Sequence, residues 1–503
     1  MSRMPLTDAF FLTTESRRQP MHVGGLNLFK LPDDIDEIEF LQSLSRILKE
    51  DTEMRHPFGK RLKMGPLGQF GPIQWNEDKL LDMDYHIRQS ALPQPGRYLE
   101  LFKLVSRLHT TLLDRSRPLW ELHLIEGLQN REFAIYSKFH HCAIDGMGAM
   151  HLLNSMFSPD PTHKIEYSPF SATAYEAYKK QRKQRRKINP TEEEIKTVSE
   201  VLKDQFQSSR NIASALRRFA GAWVGRAGDL EVPWHKVPKT NINTKITGAR
   251  RFVAQSWNLE RIKTLGKAFD GTLNDAVLAI CSGALRKHLE AHNDLPSDPL
   301  MAMTPVSLRA EGDVDSANAI SFMTANLATH IKDPAKRVEA IQSSMKAAKA
   351  NFQGMSRREI EAYTIFTQAP IMMMQMLKLQ SKFPPYSTVI SNVPGPREQM
   401  YWNGAALKGI YPASIPFDGM SLNITLVSNS SNLDFGITAC RHSVPQVQRL
   451  IDYIDESIVE LEDAAGIAKP VKKAPRKSPA RKAAPKKAAA AKASTKKAEP
   501  LKN

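Results

Sequence analysis

The spacing of apolar residues along the chain changes period several times, and each change predicts an element. Trp120–Glu126 (WELHLIE) and Glu132–Phe139 (EFAIYSKF) are rich in strand formers, with turn residues Gly127–Arg131 between them, which predicts a hairpin. Phe133, Ile135 and Phe139 fall on one face of its second strand. The run MGAMHLLNSMF from Met147 carries helical spacing. RRFVAQSWNL predicts a strand, and TLNDAVLAICSGALRKHLEAH a long helix with Leu273 or Asn274 near its start. PLMAMTPVSLRA reads as a buried strand ending in Arg309, and YSTVISNVPGP as a strand stopped by Pro394, Gly395 and Pro396. SLNITLVSNSSNLDFGITAC predicts a hairpin with a Ser/Asn turn, and VPQVQRLIDYIDESIVELEDAA a closing amphipathic helix.

These elements suggest four regions. Residues 1–160 form a mixed α/β unit, 161–250 a basic helical connector, 251–465 a second α/β unit, and 466–503 a tail. In the connector, YKKQRKQRRKINPTEEEIK is a dense charge run. NIASALRRFAGAWVGRAG then sets Ile212, Leu216, Phe219 and Val224 at roughly helical spacing beside arginines. Such a segment suits either a lipid interface or packing between lobes.

Charge changes this picture only at one end. Of the net +17, the stretch Lys469–Asn503 holds thirteen Lys or Arg against one acid, a net +12, leaving +5 for the rest. This Lys/Ala/Pro tail cannot bury enough apolar surface to offset chain entropy and is expected to be disordered. It is a solubility tail or a non-specific contact for polyanions, anionic membrane and nucleic acid included. Cys142, Cys281 and Cys440 are too few and scattered for a disulfide framework. The N-terminal residues lack a signal-peptide pattern, and the greasiest run, APIMMMQML at Ala369–Leu377, is far shorter than a membrane span. A cytoplasmic protein, soluble or peripheral on a membrane or lipid inclusion, is expected.

The candidate chemistry lies at YSKFHHCAIDGMGAMHLL. Histidine exchanges a proton near neutral pH. Neighbours on a strand face opposite ways, so His140 and His141 are expected to divide their roles, one as base and one packed or hydrogen-bonded. Asp145 is placed to orient a ring or to fix the loop through an ion pair, with Arg309 as its candidate partner. Gly146 and Gly148 ease the turn into the helix. A buried His pair with a helix-capping Asp is the plainer alternative. Zinc would need ligands that neither His123 nor His151 completes, so no metal is expected. The chain has no G-x-S-x-G elbow, Walker loop or G-x-G-x-x-G. A base without a nucleophile suits direct transfer from an activated acyl group to a hydroxyl.

HHCAIDG matches HHxxxDG of the CoA-dependent acyltransferase superfamily. With RQPMHVGGL, RPLWELHLIEGL, TLNDAVLAICSGALR, PVSLR, VISNVPGPRE, YWNGAALKGIYPASI and LNITLVSNSSNLDFGITACR in order, the chain resembles the bacterial wax ester synthase/diacylglycerol acyltransferase family up to about residue 465. The resemblance implies an α/β fold of two chloramphenicol-acetyltransferase-like lobes with a substrate tunnel between them. It implies acyl-CoA as a cosubstrate without a tightly bound cofactor, and a fatty alcohol or diacylglycerol as acceptor. His141 would be the general base, His140 supporting and Asp145 structural. Asn274 and Asp275 would lie near the transfer site, Asn274 as an oxyanion donor, although Asn and Asp also favour helix caps. Two other classes remain open: a condensation enzyme acting on carrier-bound acyl groups, and an inactive body that coats lipid inclusions.

Overall fold

The computed structural model describes residues 2–66, 68–144, 148, 149, 152, 155–177, 198–307 and 320–467. Asp145, Gly146, His151, Arg309 and the tail from residue 468 lie outside the described residues, and with them the proposed Asp145–Arg309 pair.

The strands in chain order are β1 (Ser2–Arg3), β2 (His22–Lys30), β3 (Lys60–Gly65), β4 (Gly68–Glu77), β5 (Ile87–Ala91), β6 (Trp120–Glu126), β7 (Glu132–His140), β8 (Arg250–Asn258), β9 (Met301–Ser307), β10 (Ile320–Asn326), β11 (Thr388–Val393), β12 (Tyr401–Trp402), β13 (Ala405–Ala413), β14 (Leu422–Asn429) and β15 (Asn432–Cys440). They build one six-stranded sheet in the order β12-β13-β2-β7-β6-β5, another in the order β10-β9-β11-β14-β15-β8, and a small sheet β1-β4-β3. Both large sheets are mixed, with β5 parallel to β6 and β11 parallel to β9 and β14. The predicted hairpins appear as β6–β7 and β14–β15.

Each large sheet has its own core. Phe29, Trp120, Phe133, Ile135 and Phe139 pack on one face of the first. The second wraps the helix Leu273–Ala291, which is apolar nearly all round and accordingly buried from Asp275 to Leu285. Its start is a capping box: the Thr272 hydroxyl accepts from Asp275 N–H while the Asp275 carboxylate accepts from Thr272 N–H.

The linear division at residue 251 does not carry over to the sheets. β12 and β13 come from the second region of sequence yet complete the first sheet, with Ala413 opposite Gly24. The reason is a close crossing. β13 passes over β15 at Gly436, where a Cβ would meet Pro412 O at 1.8 Å. There Ile410 N–H donates to Asp434 (2.7 Å), Ser414 N–H to Thr438 Oγ1 (3.2 Å), and Ser256 bonds Tyr411. A second seam is made by the helix Tyr98–Thr110, which packs on β8; Ser106 and Thr110 hydroxyls accept the N–H groups of Phe252 and Arg250. Leu26, Tyr136, Val105 and Phe252 fill the space between.

Part of the span read as a connector, residues 178–197, lies outside the described residues. Val198–Trp223 is a helix, but Val224 falls just past its end and is exposed.

Candidate functional site

β7 ends at His140, which stands opposite His22 of β2 and is fully buried. His141 is the first residue of the turn that follows, closed by Ala143 N–H to His140 O at 2.9 Å. The two histidines do separate, His140 inward and His141 half-buried. The cause is the end of the strand rather than alternation within it.

His140 is hydrogen-bonded at Nδ1 and faces a carboxylate at Nε2. Cys142 N–H donates to Nδ1 at 3.2 Å, which leaves the proton on Nε2. Nε2 faces Glu15 Oε1 at 3.4 Å, an electrostatic contact that is long for a hydrogen bond. Glu15 closes the helix Leu6–Thr14 and is itself buried. It also accepts from Met21 N–H (3.0 Å) and from Arg115 Nε and Nη2 (3.1 and 2.9 Å). Burial pushes its carboxyl upward, but His140, the Met21 amide and Arg115 together hold it below the ordinary range.

His141 is fixed by backbone and ring. Its N–H donates to Met21 O at 2.9 Å, and its imidazole stacks on Phe11 with centroids 4.1 Å apart and planes at 14°. Phe11 lies on the Leu6–Thr14 helix, so Glu15 and Phe11 of one helix set both histidines. A stacked ring keeps both nitrogens in a defined plane, the pre-organisation a proton-transfer group needs.

Asn274 and Asp275 sit on the first turn of the Leu273–Ala291 helix. Neither is among the partners Cys142, Glu15, Met21 and Phe11 that hold His140 and His141. The Asp275 carboxylate accepts from Thr272 N–H (2.8 Å) and Thr272 Oγ1 (2.7 Å), so the helix-cap alternative describes it. Asn274 is half-buried.

A buried polar network beside His140 was missed in the sequence. Lys138, fully buried, stands opposite Glu121; their charged atoms are 2.9 Å apart, and Nζ also donates to Leu108 O and Thr111 O. His123 Nε2 lies 3.3 Å and Arg88 3.4 Å from the same carboxylate. Burial raises the Glu121 carboxyl, yet His123, Lys138 and Arg88 outweigh it and bring it down to about 2. His22 Nε2–H donates to His109 O, and His109 bonds Tyr136 OH and Ser414 O; burial, aided by the charges of Arg250 and Lys138 and opposed by the Ser414 carbonyl, drives His109 down to about 3. The signal was legible: Glu121, His123, Tyr136, Lys138 and His140 occupy alternate positions on two paired strands.

Next to Thr110 and Thr111 a cavity of about 890 Å³ opens at the seam between the sheets. Lys103, Arg107, Arg251 and Arg441 line it, none with a carboxylate partner among the described residues, together with Arg250 and Glu100, the latter paired with Arg97. Arg250 Nη2 donates to Arg18 O, and the chain from Arg18 reaches Met21, whose carbonyl holds His141. Among the described residues, no group of three or more His, Cys, Asp or Glu side chains is arranged to hold a metal ion.

This architecture has relatives. A solved wax ester synthase/diacylglycerol acyltransferase from Marinobacter aquaeolei aligns with TM-score 0.73 and 36% identity, over 93% of this chain and all of that one. The first condensation domain of the CDA synthetase, at 16% identity and TM-score 0.55, shares the fold. O-acyltransferase WSD of Acinetobacter baylyi is 39% identical over 93% of this chain and 98% of its own. The probable diacylglycerol O-acyltransferase tgs2 of Mycobacterium tuberculosis is 41% identical over 93% of this chain and 100% of its own. Family models for the wax ester synthase/diacylglycerol acyltransferase catalytic domain and the WS/DGAT C-terminal domain match residues 4–277 and 316–462. The chain is an O-acyltransferase that belongs to the wax ester synthase/diacylglycerol acyltransferase family.

Proposed function

We propose that the chain moves a fatty acyl group from acyl-CoA to the hydroxyl of a long-chain alcohol or of diacylglycerol, with His141 as general base. The observation that carries this reading is the half-buried His141 imidazole, fixed in plane by Phe11 and in position by Met21 O. His141 removes the hydroxyl proton as the oxygen attacks the thioester carbonyl. The C–O bond forms, the C–S bond breaks, and the departing CoA thiolate takes the proton back from the imidazolium. His140 supports the turn through Cys142 and Glu15 rather than touching substrate. Asn274 is the candidate donor to the oxyanion, and Asp145 is assigned to the structure of the motif loop.

The cations Lys103, Arg107, Arg251 and Arg441 of the cavity suit the phosphates of CoA, which needs no metal for recognition by Lys and Arg. One of the structural neighbours, a starter condensation domain of rhizomide synthetase at 12% identity and TM-score 0.52, was solved in complex with C8-CoA. The acceptors are insoluble in water, so the reading places catalysis at a lipid surface. Among the described residues, no helix is long and apolar enough to cross a membrane.

The test is thiol release from palmitoyl-CoA by purified protein, read with and without hexadecanol or diacylglycerol. Release that requires the hydroxyl and yields an ester supports the reading. Transfer only from a carrier-protein thioester would favour condensation chemistry.

A further inference from the structure

The helix Arg357–Met376 is amphipathic the wrong way round for a helix facing water. Its inward side carries Tyr363, Thr364 and Thr367. Asn351 donates to the Tyr363 hydroxyl at 3.0 Å, Thr364 bonds Ser321 at 2.7 Å, and Thr367 bonds the carbonyl of Tyr363. Its outward side carries Ala362, Ile365, Phe366, Ala369, Pro370 and Met373, and the stripe runs on through Met376 and Leu377. These positions follow the 3-4-3-4 spacing of one helix face, and that face holds no charged residue between Ala362 and Leu377. The large side chains among them are 53–65% exposed. Trp223 and Val224, at the end of the adjoining helix Val198–Trp223, are exposed as well. Trp223 leans on Trp234, whose indole N–H donates to Phe383 O, and Phe383 is exposed in turn. A contiguous apolar face of this kind marks an interaction site.

Its rim is basic. Arg358, Lys378 and Lys382 are exposed at the two ends of the stripe, and Arg217 and Arg226 are exposed around Trp223. The acids on the Arg357–Met376 helix are Glu359, buried in the capping box with Ser356, and the half-buried Glu361. An apolar stripe edged by cations is complementary to a lipid surface with anionic headgroups. The same helix packs against Leu6–Thr14, which brings Phe11 to His141. One helix, Leu6–Thr14, thus lies between Arg357–Met376 and His141.

We propose that the outward face of Arg357–Met376, extended by Trp223, Val224 and Phe383, docks the protein onto an anionic lipid surface. This rests on the acyltransferase reading above and assigns its membrane face. It moves the centre of the docking surface away from the segment Asn211–Ala227, of which Ala215 and Ala222 are buried and Phe219 packs on Tyr363.

The test is flotation of the full chain with vesicles of phosphatidylcholine alone and of phosphatidylcholine with phosphatidylglycerol. Phe366→Ser combined with Met373→Ser is expected to weaken binding at least about tenfold on both vesicle types, with an unchanged melting temperature. Lys378→Glu with Lys382→Glu, a second and wholly surface variant, is expected to weaken binding only to the anionic vesicles. Both variants are expected to keep wild-type ester formation on detergent-dispersed substrate. Wild-type vesicle binding by both folded variants overturns the proposal. So does a wild-type dimer that the first variant converts to a monomer without loss of vesicle binding, since the face would then belong to a second copy. Absence of ester formation in the wild type itself, on any substrate presentation, strikes the acyltransferase reading, while flotation still decides the docking face.

Discussion

His140 and His141 are adjacent in sequence and differ in almost everything else. One is sealed between Glu15 and Cys142, the other half-open against Phe11. His141→Ala is expected to lower transfer by roughly 100- to 10,000-fold, the usual cost of losing a general base. His140→Ala is expected to leave a measurable rate. Equal and complete loss in both, with both folded by circular dichroism, would contradict these roles. Glu15→Gln tests the support beneath them. It removes a buried carboxylate from Arg115 and is expected to cost about 1–3 kcal/mol at neutral pH, less than a fully buried pair because Arg115 is partly exposed. Because the folded carboxyl is depressed, its contribution is present above the unfolded value of 4.5 and disappears as pH falls through the folded value. Denaturant curves of wild type and variant are therefore expected to converge in acid. Asp434 has the opposite sign. Burial lifts it to about 6, so its cost to folding grows as pH rises from 3.8 through 6. Asp434→Asn is expected to melt no lower than wild type at pH 7.

Elements whose apolar period was strong were legible in the sequence. The hairpins β6–β7 and β14–β15, the helix Leu273–Ala291 and the helix Arg449–Ala464 lie where spacing and turn residues put them. Thr272 caps its helix, and Thr272→Ala is expected to cost about 1 kcal/mol in a melting experiment. Among the elements that were not legible, two show the physical reasons. β13 looks like any half-buried strand, and nothing local in Ala405–Ala413 says that its partner is β2, nearly 400 residues earlier. The pairing goes with a close backbone crossing at Gly436, a tertiary contact that no local pattern announces. The helix Arg357–Met376 was visible only as a greasy run at Ala369–Leu377. Its outward apolar face breaks the assumption that apolar residues point inward, and that assumption is what sequence periodicity relies on.

At the scale of the whole molecule, buried titratable groups make stability depend on pH. His109, brought down to about 3 from 6.5, must stay neutral in the fold while the unfolded chain takes up a proton. Glu121, brought down to about 2 from 4.5, must stay charged. Both make the unfolded state bind more protons in acid, so stability is expected to fall from pH 6.5 downward. A melting temperature that rises between pH 6.5 and 4 would contradict the buried network. The tail belongs to no motif and to neither family-model match. Deleting Lys469–Asn503 is expected to leave turnover on detergent-dispersed substrate unchanged while weakening salt-sensitive binding to anionic surfaces or nucleic acid in a gel shift. Of the candidate site, the motif histidines were legible because HHxxxDG is a dense local signal; Glu15, Phe11 and Met21 were not, because they arrive from another element. The measurement that bears most directly on the whole account is ester formation from palmitoyl-CoA and hexadecanol or diacylglycerol, followed by extraction of the lipid product from wild type and His141→Ala in parallel. The account predicts stoichiometric ester and CoA thiol from the wild type and at least about a hundredfold less from the variant at equal folded protein. Ester produced at wild-type rate by folded His141→Ala would contradict it.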